Sequence, residues 1–445
     1  MIRIRRCSRS EWTWRFVKAL AWIWRTLLVR TRFVVVTGSV GKTTAKELIY
    51  AILSSRAPTV ATRYNDNGID RTAETILRVR PWHRFAVLEA GTGGPGWIAR
   101  IASLVRPDIA VILNVGHTHT DQFPTLDDTA REKAALLTAL RPRGVAILND
   151  DDPRVAAMAV GRGFRVVRFG LTDRADVRAT AISSPWPERL ALTIESRGLA
   201  QRIQTRLVGV NWAPSVLAAA AVALECGVAL PDIAAAVAGV PPTPARLDPR
   251  ALPSGAVILR DDYNGSLQTF EAALQVLREA RACRKILAIT TVTDTPDSWG
   301  RRLRRLVFAA APVCQAIVLV GSRHQTARSI QAAVKAGFPA GRFYEFGALS
   351  DAAAFLREFL RDGDLLLLRG RIVDHVGRLY HAQTAEVSCW LDRCPKRDIC
   401  DRCPELFAIR PAPPTCPASC TPPHPAPPSS PLPASAGTPN PGTSR

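Results

Sequence analysis

The chain has 445 residues, of which 47% are hydrophobic, so it is long enough for two or three domains that each bury a core. This is the composition of an ordinary globular protein rather than of a chain disordered throughout. The formal net charge of +21 favours anionic partners such as a membrane surface, nucleic acid or phosphorylated substrates.

Residues 1–32 form a basic, Trp-rich leader with a single acid, Glu11. On a helical wheel one face is apolar (Trp12, Phe16, Leu20, Ile23, Trp24, Leu27), and the opposite face is basic (Arg15, Lys18, Arg25, Arg32). The apolar run is too short to span a bilayer, and no small-residue cleavage site follows it. An amphipathic helix of this kind suits a membrane interface; the alternative is a helix packed on the next domain with solvated arginines.

The stretch VVVTGSVGKTT, Val34–Thr44, is similar to a phosphate-binding loop, although Val36 stands where the usual pattern has its first Gly. The preceding RFVVVTG predicts a buried parallel strand, and GKTTAKELIYAIL predicts a helix. This context points backbone N–H groups and a helix N-terminus at phosphate. We predict that Lys42 reaches the β- and γ-phosphates and that the Thr43 hydroxyl binds Mg²⁺. The predicted nucleotide-binding residues of the loop are Gly38, Ser39, Gly41, Lys42, Thr43 and Thr44.

Further strands and helices alternate after this loop, which predicts a doubly wound α/β domain. RFAVLEAGTGG ends in Glu89, and PDIAVILNVGHTHTDQF ends in Asn114 and continues to His119. A helix then carries Lys133, and another strand ends in Asn149. Carboxylate, imidazole and hydroxyl groups at one edge of a parallel sheet favour a metal-assisted phosphoryl-transfer centre, although His119 taken alone is more often an ordinary loop histidine.

In order and spacing, TGSVGKTT, VLEAG, PDIAVILNVGHTHTDQF, AREKAAL and GVAILNDDDP resemble the Mur ligase family. The resemblance runs from about residue 33 to 376 and is greatest to the members that add D-alanyl-D-alanine to a UDP-muramoyl peptide. That family's phosphate loop is a short Thr-Gly-x-x-Gly-Lys-Thr-Thr version, which explains Val36. The resemblance implies a P-loop central domain over 33–245 and a Rossmann-like C-terminal α/β domain over 246–388.

The resemblance also implies a chemistry. Mur-type ligases use ATP and two Mg²⁺ ions to convert a carboxylate into an acyl phosphate, which an amine attacks to form an amide. By resemblance Thr43 and Glu89 hold the first Mg²⁺ and His119 the second. Lys133 matches a lysine that is carbamylated in relatives. Further matches to ATP-contacting positions are Asn211, Arg246, Asp261, Tyr263 and Asn264.

The sequence departs from the family at four places. Pro214 replaces an asparagine on the adenine side, and Arg369 stands where relatives have a lysine, whose shape and titration an arginine does not reproduce. The substrate-loop region, Tyr64 to Leu77, lacks the expected Ile-Gly-x-Pro. Only about thirty residues precede the phosphate loop, so we expect no N-terminal UDP-sugar domain and no recognition of a UDP-muramoyl peptide in the usual way.

Residues 389–404 hold four cysteines, Cys389, Cys394, Cys400 and Cys403, with the spacing C-x4-C-x5-C-x2-C. Such a group can bind Zn²⁺ or an iron–sulfur cluster. The alternatives are free thiols or a disulfide, which is rare in the cytosol where ATP-using domains usually occur. Residues 405–445 are rich in proline and predict a disordered tail.

These observations predict an ATP- and Mg²⁺-dependent ligase that joins a carboxylate to an amine in the cytoplasm, at the inner face of the membrane if the leader binds there. The alternative is a catalytically altered nucleotide-binding or scaffold subunit of a cell-envelope or amide-polymer pathway, of which Pro214 and Arg369 would be signs. Nucleic-acid binding is not expected, because no aromatic-interleaved groove or known nucleic-acid module accompanies the basic leader.

Overall fold

The computed structural model of the protein describes residues 11–117, 122–160, 163–290, 298–321, 323–391, 394–396 and 398–407. His119 and nearly all of the proline-rich tail, from Ala408 onward, lie outside these ranges, and the predictions made for them stay predictions.

The first half of the chain contains eight helices and nine strands within the described residues. In chain order these are α1 (Glu11–Leu27), β1 (Arg32–Thr37), α2 (Lys42–Ser54), β2 (Thr59–Ala61), α3 (Ile69–Arg78), β3 (Phe85–Glu89), α4 (Trp97–Val105), β4 (Ile109–Ile112), α5 (Leu126–Ala134), β5 (Val145–Asn149), α6 (Pro153–Ala157), β6 (Arg165–Gly170), β7 (Val177–Ser183), β8 (Ala191–Ser196), β9 (Leu199–Gln204), α7 (Ala213–Glu225) and α8 (Leu230–Ala238).

The second half repeats the alternation around another sheet. Its elements are β10 (Asp248–Ala251), β11 (Val257–Asp261), α9 (Leu267–Glu279), β12 (Arg284–Ile289), α10 (Trp299–Ala310), β13 (Ala316–Val320), α11 (Arg323–Lys335), β14 (Phe343–Phe346), α12 (Leu349–Phe359), β15 (Asp364–Arg369) and α13 (Gly377–Thr384).

The two sheets confirm the predicted α/β fold class. The first has the order β2-β3-β1-β4-β5-β6-β7-β8-β9, parallel from β2 to β7 and antiparallel from β7 to β9. The second has the order β10-β11-β15-β12-β13-β14, parallel except for the β10–β11 pair. The antiparallel strands β8 and β9 of the first sheet were not predicted. Strand β1 lies between β3 and β4, so the sheet first grows to one side of β1, with β2 and β3, and then to its other side, with β4. Such a change of direction is a topological switch point, and it forms a crevice at the carboxyl ends of the strands.

Apolar cores cover both faces of both sheets. Residues 33–37 of β1 are all buried, as expected for a strand with helices on both sides. One cluster of buried side chains continues from α2 and α7 of the first half to α9 and β12 of the second, through residues such as Leu247 and Phe270. The two halves therefore pack on each other through a shared apolar core rather than through a polar contact alone.

Helix α1 packs on the first half, as in the alternative given for the leader, through residues such as Ala21 and Trp24. Arg25, one of the arginines that this alternative leaves in solvent, is buried, and its guanidinium donates to the backbone oxygens of Val105 (2.6 Å) and Arg106 (2.8 Å) at the carboxyl end of α4. It also pairs with Asp108 at 3.2 Å. A cation suits this position because carbonyl groups and the negative end of the helix dipole converge there.

The outer face of α1 also carries apolar side chains. Phe16, Leu20, Ile23 and Leu27 repeat at helical spacing and are 40–64% exposed. We call these four residues the leader stripe. In the part of the chain that the structure describes, no helix combines the length and the apolar character needed to cross a bilayer.

The chain after α13 folds back onto the second sheet, and we call residues 385–407 the extension. The backbone N–H of Ser388 donates to the Leu406 oxygen at 3.0 Å, and Val387, Cys400 and Leu406 are buried in the core beneath it. Residues of the extension are therefore part of the folded domain.

A buried ion pair anchors the extension. The fully buried guanidinium of Arg260 forms two hydrogen bonds to Asp262 (3.1 and 2.9 Å) and one to Asp401 of the extension (2.5 Å). Burial by itself would raise the pKa of Asp401, but hydrogen bonds from His381 and Arg260 outweigh it, so that the pKa of this carboxyl is lowered.

We expect Asp401→Asn to lower the free energy of unfolding by about 1–3 kcal/mol at pH 7, because a charge-assisted hydrogen bond to a buried cation is lost. The carboxylate contributes this stability above its unfolded pKa of about 4, and the contribution declines as the pH falls toward the lower folded value. Urea unfolding at pH 7 and pH 3 measures both effects. Glu405→Gln, which removes the more exposed pair with Lys396, is the control and should change stability by less than about 1 kcal/mol.

Candidate active site

The loop between β1 and α2 has a backbone that requires glycine at two positions. Gly41 has a φ of +83°, in the left-handed region, and a Cβ there would lie 2.8 Å from Ser215 Oγ. A Cβ on Gly38 would lie 2.9 Å from the Cβ of Leu113. The two glycines allow the loop to pass close to its neighbours, and α2 begins directly after it at Lys42. The predicted strand, glycine turn and helix are thus present, which is the geometry of a phosphate-binding helix N-terminus.

Asn114 holds this loop in shape from the end of β4. Its Oδ1 accepts hydrogen bonds from the backbone N–H groups of Ser39 and Val40, both at 2.9 Å, and its Nδ2 donates to the Val40 oxygen at 3.1 Å. The Ser39 hydroxyl donates to the Gly116 oxygen at 3.0 Å. The sequence placed Asn114 at the sheet edge but gave no sign of this role.

Lys42 lies over the loop that precedes it. Its Nζ donates to the backbone oxygens of Gly38 (2.9 Å) and Ser39 (3.1 Å). Burial lowers the pKa of Lys42; the Glu89 carboxylate opposes this shift and the Arg246 guanidinium adds to it. A buried ammonium at the start of α2 is placed to attract the oxygens of a phosphate chain.

Thr43 and Glu89 form the polar centre of the site. The Thr43 hydroxyl donates to Glu89 Oε2 at 2.9 Å and accepts from Arg246 Nη2 at 3.3 Å. Asn67 Nδ2 donates to the other oxygen, Glu89 Oε1, at 3.0 Å. Arg246 also stacks on Tyr263, with 4.4 Å between the guanidinium carbon and the ring centroid. The structure therefore joins Thr43, Glu89, Arg246 and Tyr263, which the sequence had suggested from four separate segments.

This centre has the donor set that Mg²⁺ and a phosphate chain need. A hydroxyl and a carboxylate oxygen are side by side in Thr43 and Glu89, and hard oxygen ligands are those that Mg²⁺ prefers. Among the residues that the structure describes, the buried Thr44 hydroxyl finds no hydrogen-bond partner. A buried hydroxyl without a partner at a helix N-terminus suits a ligand oxygen.

Lys133 lies at the end of α5 and is 2% exposed. Burial, together with the nearby Lys42 ammonium and opposed by Glu132, lowers the pKa of Lys133 to about 7. The Glu132 carboxylate is already bound, since it accepts from the backbone N–H groups of Gly96 (2.7 Å) and Ile98 (2.8 Å). The Lys42 and Lys133 amines are thus near each other, which favours an anionic ligand or a chemical change at one of them.

A cavity of about 260 Å³ lies beside the phosphate loop and is lined by residues from both halves of the chain. It brings together five residues predicted to contact the nucleotide, and it includes Pro214 where relatives have asparagine. Polar neighbours that the sequence did not single out for this role also line it. The lining includes Gly41, Asn114, Asn149, Asn211, Pro214, Ser215, Arg246, Asp261, Asn264 and Gln268. These residues surround one space beside the phosphate loop; their contacts with a nucleotide stay a prediction.

Arg369, noted as a departure from the family, is fully buried and lies inside the second half. Its guanidinium pairs with Asp261 and donates to the Ser266 oxygen at 2.9 Å and to Thr269 Oγ1. The side chain therefore orients Asp261 from behind and is not available to a ligand.

The four cysteines of the extension do not form the predicted metal site in the described structure. Within the ranges given above, no three His, Cys, Asp or Glu side chains are grouped so that they can hold a metal ion. Cys400 Sγ lies 3.4 Å from His375 Nδ1, and Cys403 Sγ accepts from Lys396 Nζ at 3.3 Å. Burial raises the pKa of Cys400 to about 11, so this sulfur is a thiol when no metal ion is bound. In the described structure none of these four cysteines forms a disulfide.

The sequence matches the Mur ligase middle domain over residues 36–223 and the Mur ligase glutamate ligase domain over residues 245–372. It is 30% identical over 382 residues to the UDP-N-acetylmuramoyl-tripeptide–D-alanyl-D-alanine ligase of Mycobacterium bovis, which covers 80% of this chain and 73% of that protein. The Escherichia coli K12 protein of the same name is 32% identical over 274 residues, covering 61% of this chain and 60% of that protein.

Solved structures of similar proteins give the same result for the fold. MurF from Acinetobacter baumannii superposes with a TM-score of 0.75 at 26% identity, over 83% of this chain and 80% of that one. Folylpolyglutamate synthase from Mycobacterium tuberculosis superposes with a TM-score of 0.65 at 19% identity, over 84% of this chain and 96% of that one. At that identity the second likeness concerns the fold alone.

Proposed function

The chain belongs to the Mur ligase family of ATP-dependent, amide-forming ligases, and we propose that it activates its carboxylate substrate as an acyl phosphate. The observation that carries this proposal is the grouping of Lys42, Thr43 and Glu89 at the start of α2, with the buried Lys133 near enough for the Lys42 ammonium to lower its pKa. A carboxylate and a triphosphate repel each other, so a site that brings them together needs cations and oxygen ligands in fixed positions.

The proposed reaction has two steps. A carboxylate oxygen of the first substrate forms a bond to the γ-phosphorus of ATP while the bond to the β-phosphate oxygen breaks and ADP leaves. The amine nitrogen of the second substrate then attacks the acyl carbon, the C–O bond to phosphate breaks, and the nitrogen loses a proton. Lys42 and Arg246 face the negative oxygens of the first step, and the fixed position of Thr43 and Glu89 keeps the site ordered before the substrates bind.

We propose Mg²⁺ ligands on two grounds. The hydroxyl and carboxylate of Thr43 and Glu89 would hold the first ion, and by the family resemblance His119 and a carbamylated Lys133 would hold the second; the ions would neutralise phosphate charge. Carbamylation joins the neutral amine of Lys133 to CO₂ with loss of a proton, and the product is an anion near the Lys42 ammonium.

The substrates are proposed from the relatives. The curated relatives are named for the addition of D-alanyl-D-alanine to a UDP-N-acetylmuramoyl-tripeptide, and the synthase with the same fold is named for polyglutamate addition. We therefore propose that the amine is an amino acid or a short peptide and that the carboxylate ends a peptide-like chain. The reaction takes place in the cytoplasm, where ATP is available.

Phosphate release from ATP and Mg²⁺ tests the proposal when carboxylates are crossed with amines. We expect phosphate release only when both the carboxylate and the amine of one pair are present. The amide product should have the summed mass of these two substrates less one water. ATP binding without release that depends on any pair would instead favour the alternative of a nucleotide-binding scaffold. The Arg369 side chain gives that alternative little support, because it is used in internal contacts.

We further propose that the leader stripe contacts the surface of an anionic membrane. Phe16, Leu20, Ile23 and Leu27 are exposed on one face of α1, and the flanking residues of the leader are strongly basic. A helix with an apolar face and basic flanks lies in the interface between headgroups and acyl chains. The enzyme would then work at the inner face of the membrane.

Ile23→Glu is expected to weaken binding to vesicles of phosphatidylglycerol and phosphatidylethanolamine about tenfold, because burial of one apolar side chain is lost. Cosedimentation measures this, with phosphatidylcholine vesicles as the uncharged comparison. Val160→Glu changes another exposed apolar residue and should bind as the wild type does. Equal binding of the wild type and the Ile23 variant would count against a role for the leader stripe.

A further inference from the structure

A cavity of about 550 Å³ lies beside the phosphate loop and is larger than the one that holds the predicted nucleotide residues. Thr43 and Arg246 of the active centre line it. The cavity runs along the outer face of α2 past Tyr50 and Ala51 to Ser54. Its volume is in the range of sites for small molecules and short peptides.

The extension supplies part of the lining. Ile399 and Arg402 both line the cavity, and Ile399 is buried. The buried pair between Arg260 and Asp401 fixes the segment directly before Arg402. The matched Mur ligase domain ends at residue 372, so these lining residues come from a part of the chain beyond the family match.

Arg402 reaches the first half of the chain. Its guanidinium lies 3.5 Å from the ring centroid of Tyr64, in the substrate-loop region. The buried ammonium of Lys46 holds this loop by donating to the backbone oxygens of Thr62 (2.8 Å) and Tyr64 (2.7 Å). Asn67 of the same loop donates to Glu89. The contact between Arg402 and Tyr64 thus connects the extension to a loop that touches the active centre.

The cavity has mainly apolar walls and an excess of positive charge. Ala51, Val240, Pro241, Pro242 and Ile399 supply much of its surface. Arg246 and Arg402 are its cations, and Glu47 is the one carboxylate among the described lining residues. Glu47 is already paired with Lys46 at 2.6 Å. A ligand with an apolar body and a negative group therefore matches the cavity.

We propose that this cavity binds the carboxylate substrate of the ligase, that the substrate has a mainly apolar, peptide-like body, and that Arg402 is a specificity-determining residue. The assignment rests on the function proposed above. A substrate in this cavity has its carboxylate within reach of Thr43 and Arg246, where the γ-phosphate is expected. Its body lies against α2 and against Pro241 and Pro242. Arg402 stacks on Tyr64 with its face, and at its edge Nη1 lies 3.7 Å from the exposed Asp398 carboxylate. That distance is too long for a hydrogen bond, so the N–H groups at the edge remain for an anionic group.

The test measures binding without turnover. Fluorescence anisotropy follows dansyl-alanyl-alanine, which has an apolar body and a free carboxylate, and its C-terminal amide is the uncharged comparison. We expect the wild type to bind the acid at least about tenfold more tightly than the amide, since charge-assisted hydrogen bonds are lost with the charge. Arg402→Ala should weaken binding of the acid about tenfold, and Ala51→Phe, which fills the cavity, should abolish binding of both.

Lys396→Ala is the matched control, because Lys396 belongs to the same extension but does not line the cavity. It should bind the acid as the wild type does, and all variants should bind a fluorescent ATP analogue equally. No binding of the acid, equal binding of acid and amide, or wild-type binding by the Arg402 variant would each overturn the inference. Because the assay needs no catalysis, probe binding in a protein that never releases phosphate would overturn the ligase chemistry and leave the cavity assignment standing.

Discussion

Replacement of Lys42 with alanine is expected to lower kcat about 100- to 1000-fold, the effect of removing one positioned charge from a site that stabilises developing negative charge. The Lys42 Nζ is held by the Gly38 and Ser39 oxygens at the start of α2, so its charge is in place before ATP binds.

The effect is measured as the rate of ADP release. The substrates are the carboxylate and the amine that the phosphate-release experiment identifies. Circular dichroism checks that the variant remains folded. Lys335→Ala, an exposed lysine at the end of α11, is the control and should keep the wild-type rate. A Lys42 variant within tenfold of the wild type would contradict the assignment of this loop to the triphosphate.

Replacement of Lys133 with alanine is expected to lower kcat at least about 100-fold and to be partly reversed by acetate or formate. Lys133 is buried beside Lys42, where a second ammonium is unfavourable and a carbamate anion is favourable. The alanine leaves space for a short carboxylate, which supplies the missing anion. Lys42→Ala leaves no such requirement for an anion, so acetate should not restore its activity.

The carbamate itself can be observed. In the presence of ¹³C-labelled bicarbonate, a carbamate signal in the ¹³C spectrum of the wild type should be absent from Lys133→Ala. A wild type without this signal, together with a Lys133 variant that acetate does not restore, would leave Lys133 with a packing role only.

The parts of the site that the sequence predicted are those that local pattern determines. The run of β-branched residues before Gly38 gives a buried strand, and Lys42 opens the helix that follows, so strand, loop and helix were correct. Glu89, Asn114 and Asn149 could be placed at one sheet edge because parallel strands end together there.

Other features depend on contacts between distant segments. Periodicity divides α1 into faces but does not say which face packs. Arg25 is buried, and not solvated as in one of the two interpretations of the leader, because carbonyl groups at the end of α4 accept its hydrogen bonds. The contact between Arg402 and Tyr64 joins residues 338 positions apart (402 minus 64), and no local pattern connects them. Cysteine spacing alone likewise did not reveal that Cys400 is buried in an apolar core.

The most direct test of the acyl phosphate is the fate of the substrate oxygens. The carboxylate substrate is labelled with ¹⁸O in both oxygens and turned over with ATP and the amine, and the released phosphate is analysed by mass spectrometry. The proposed reaction transfers one ¹⁸O to each phosphate, because the C–O bond breaks when the amine attacks. Phosphate without ¹⁸O, released together with the amide, would show that the carboxylate is not activated by phosphorylation and would contradict the mechanism.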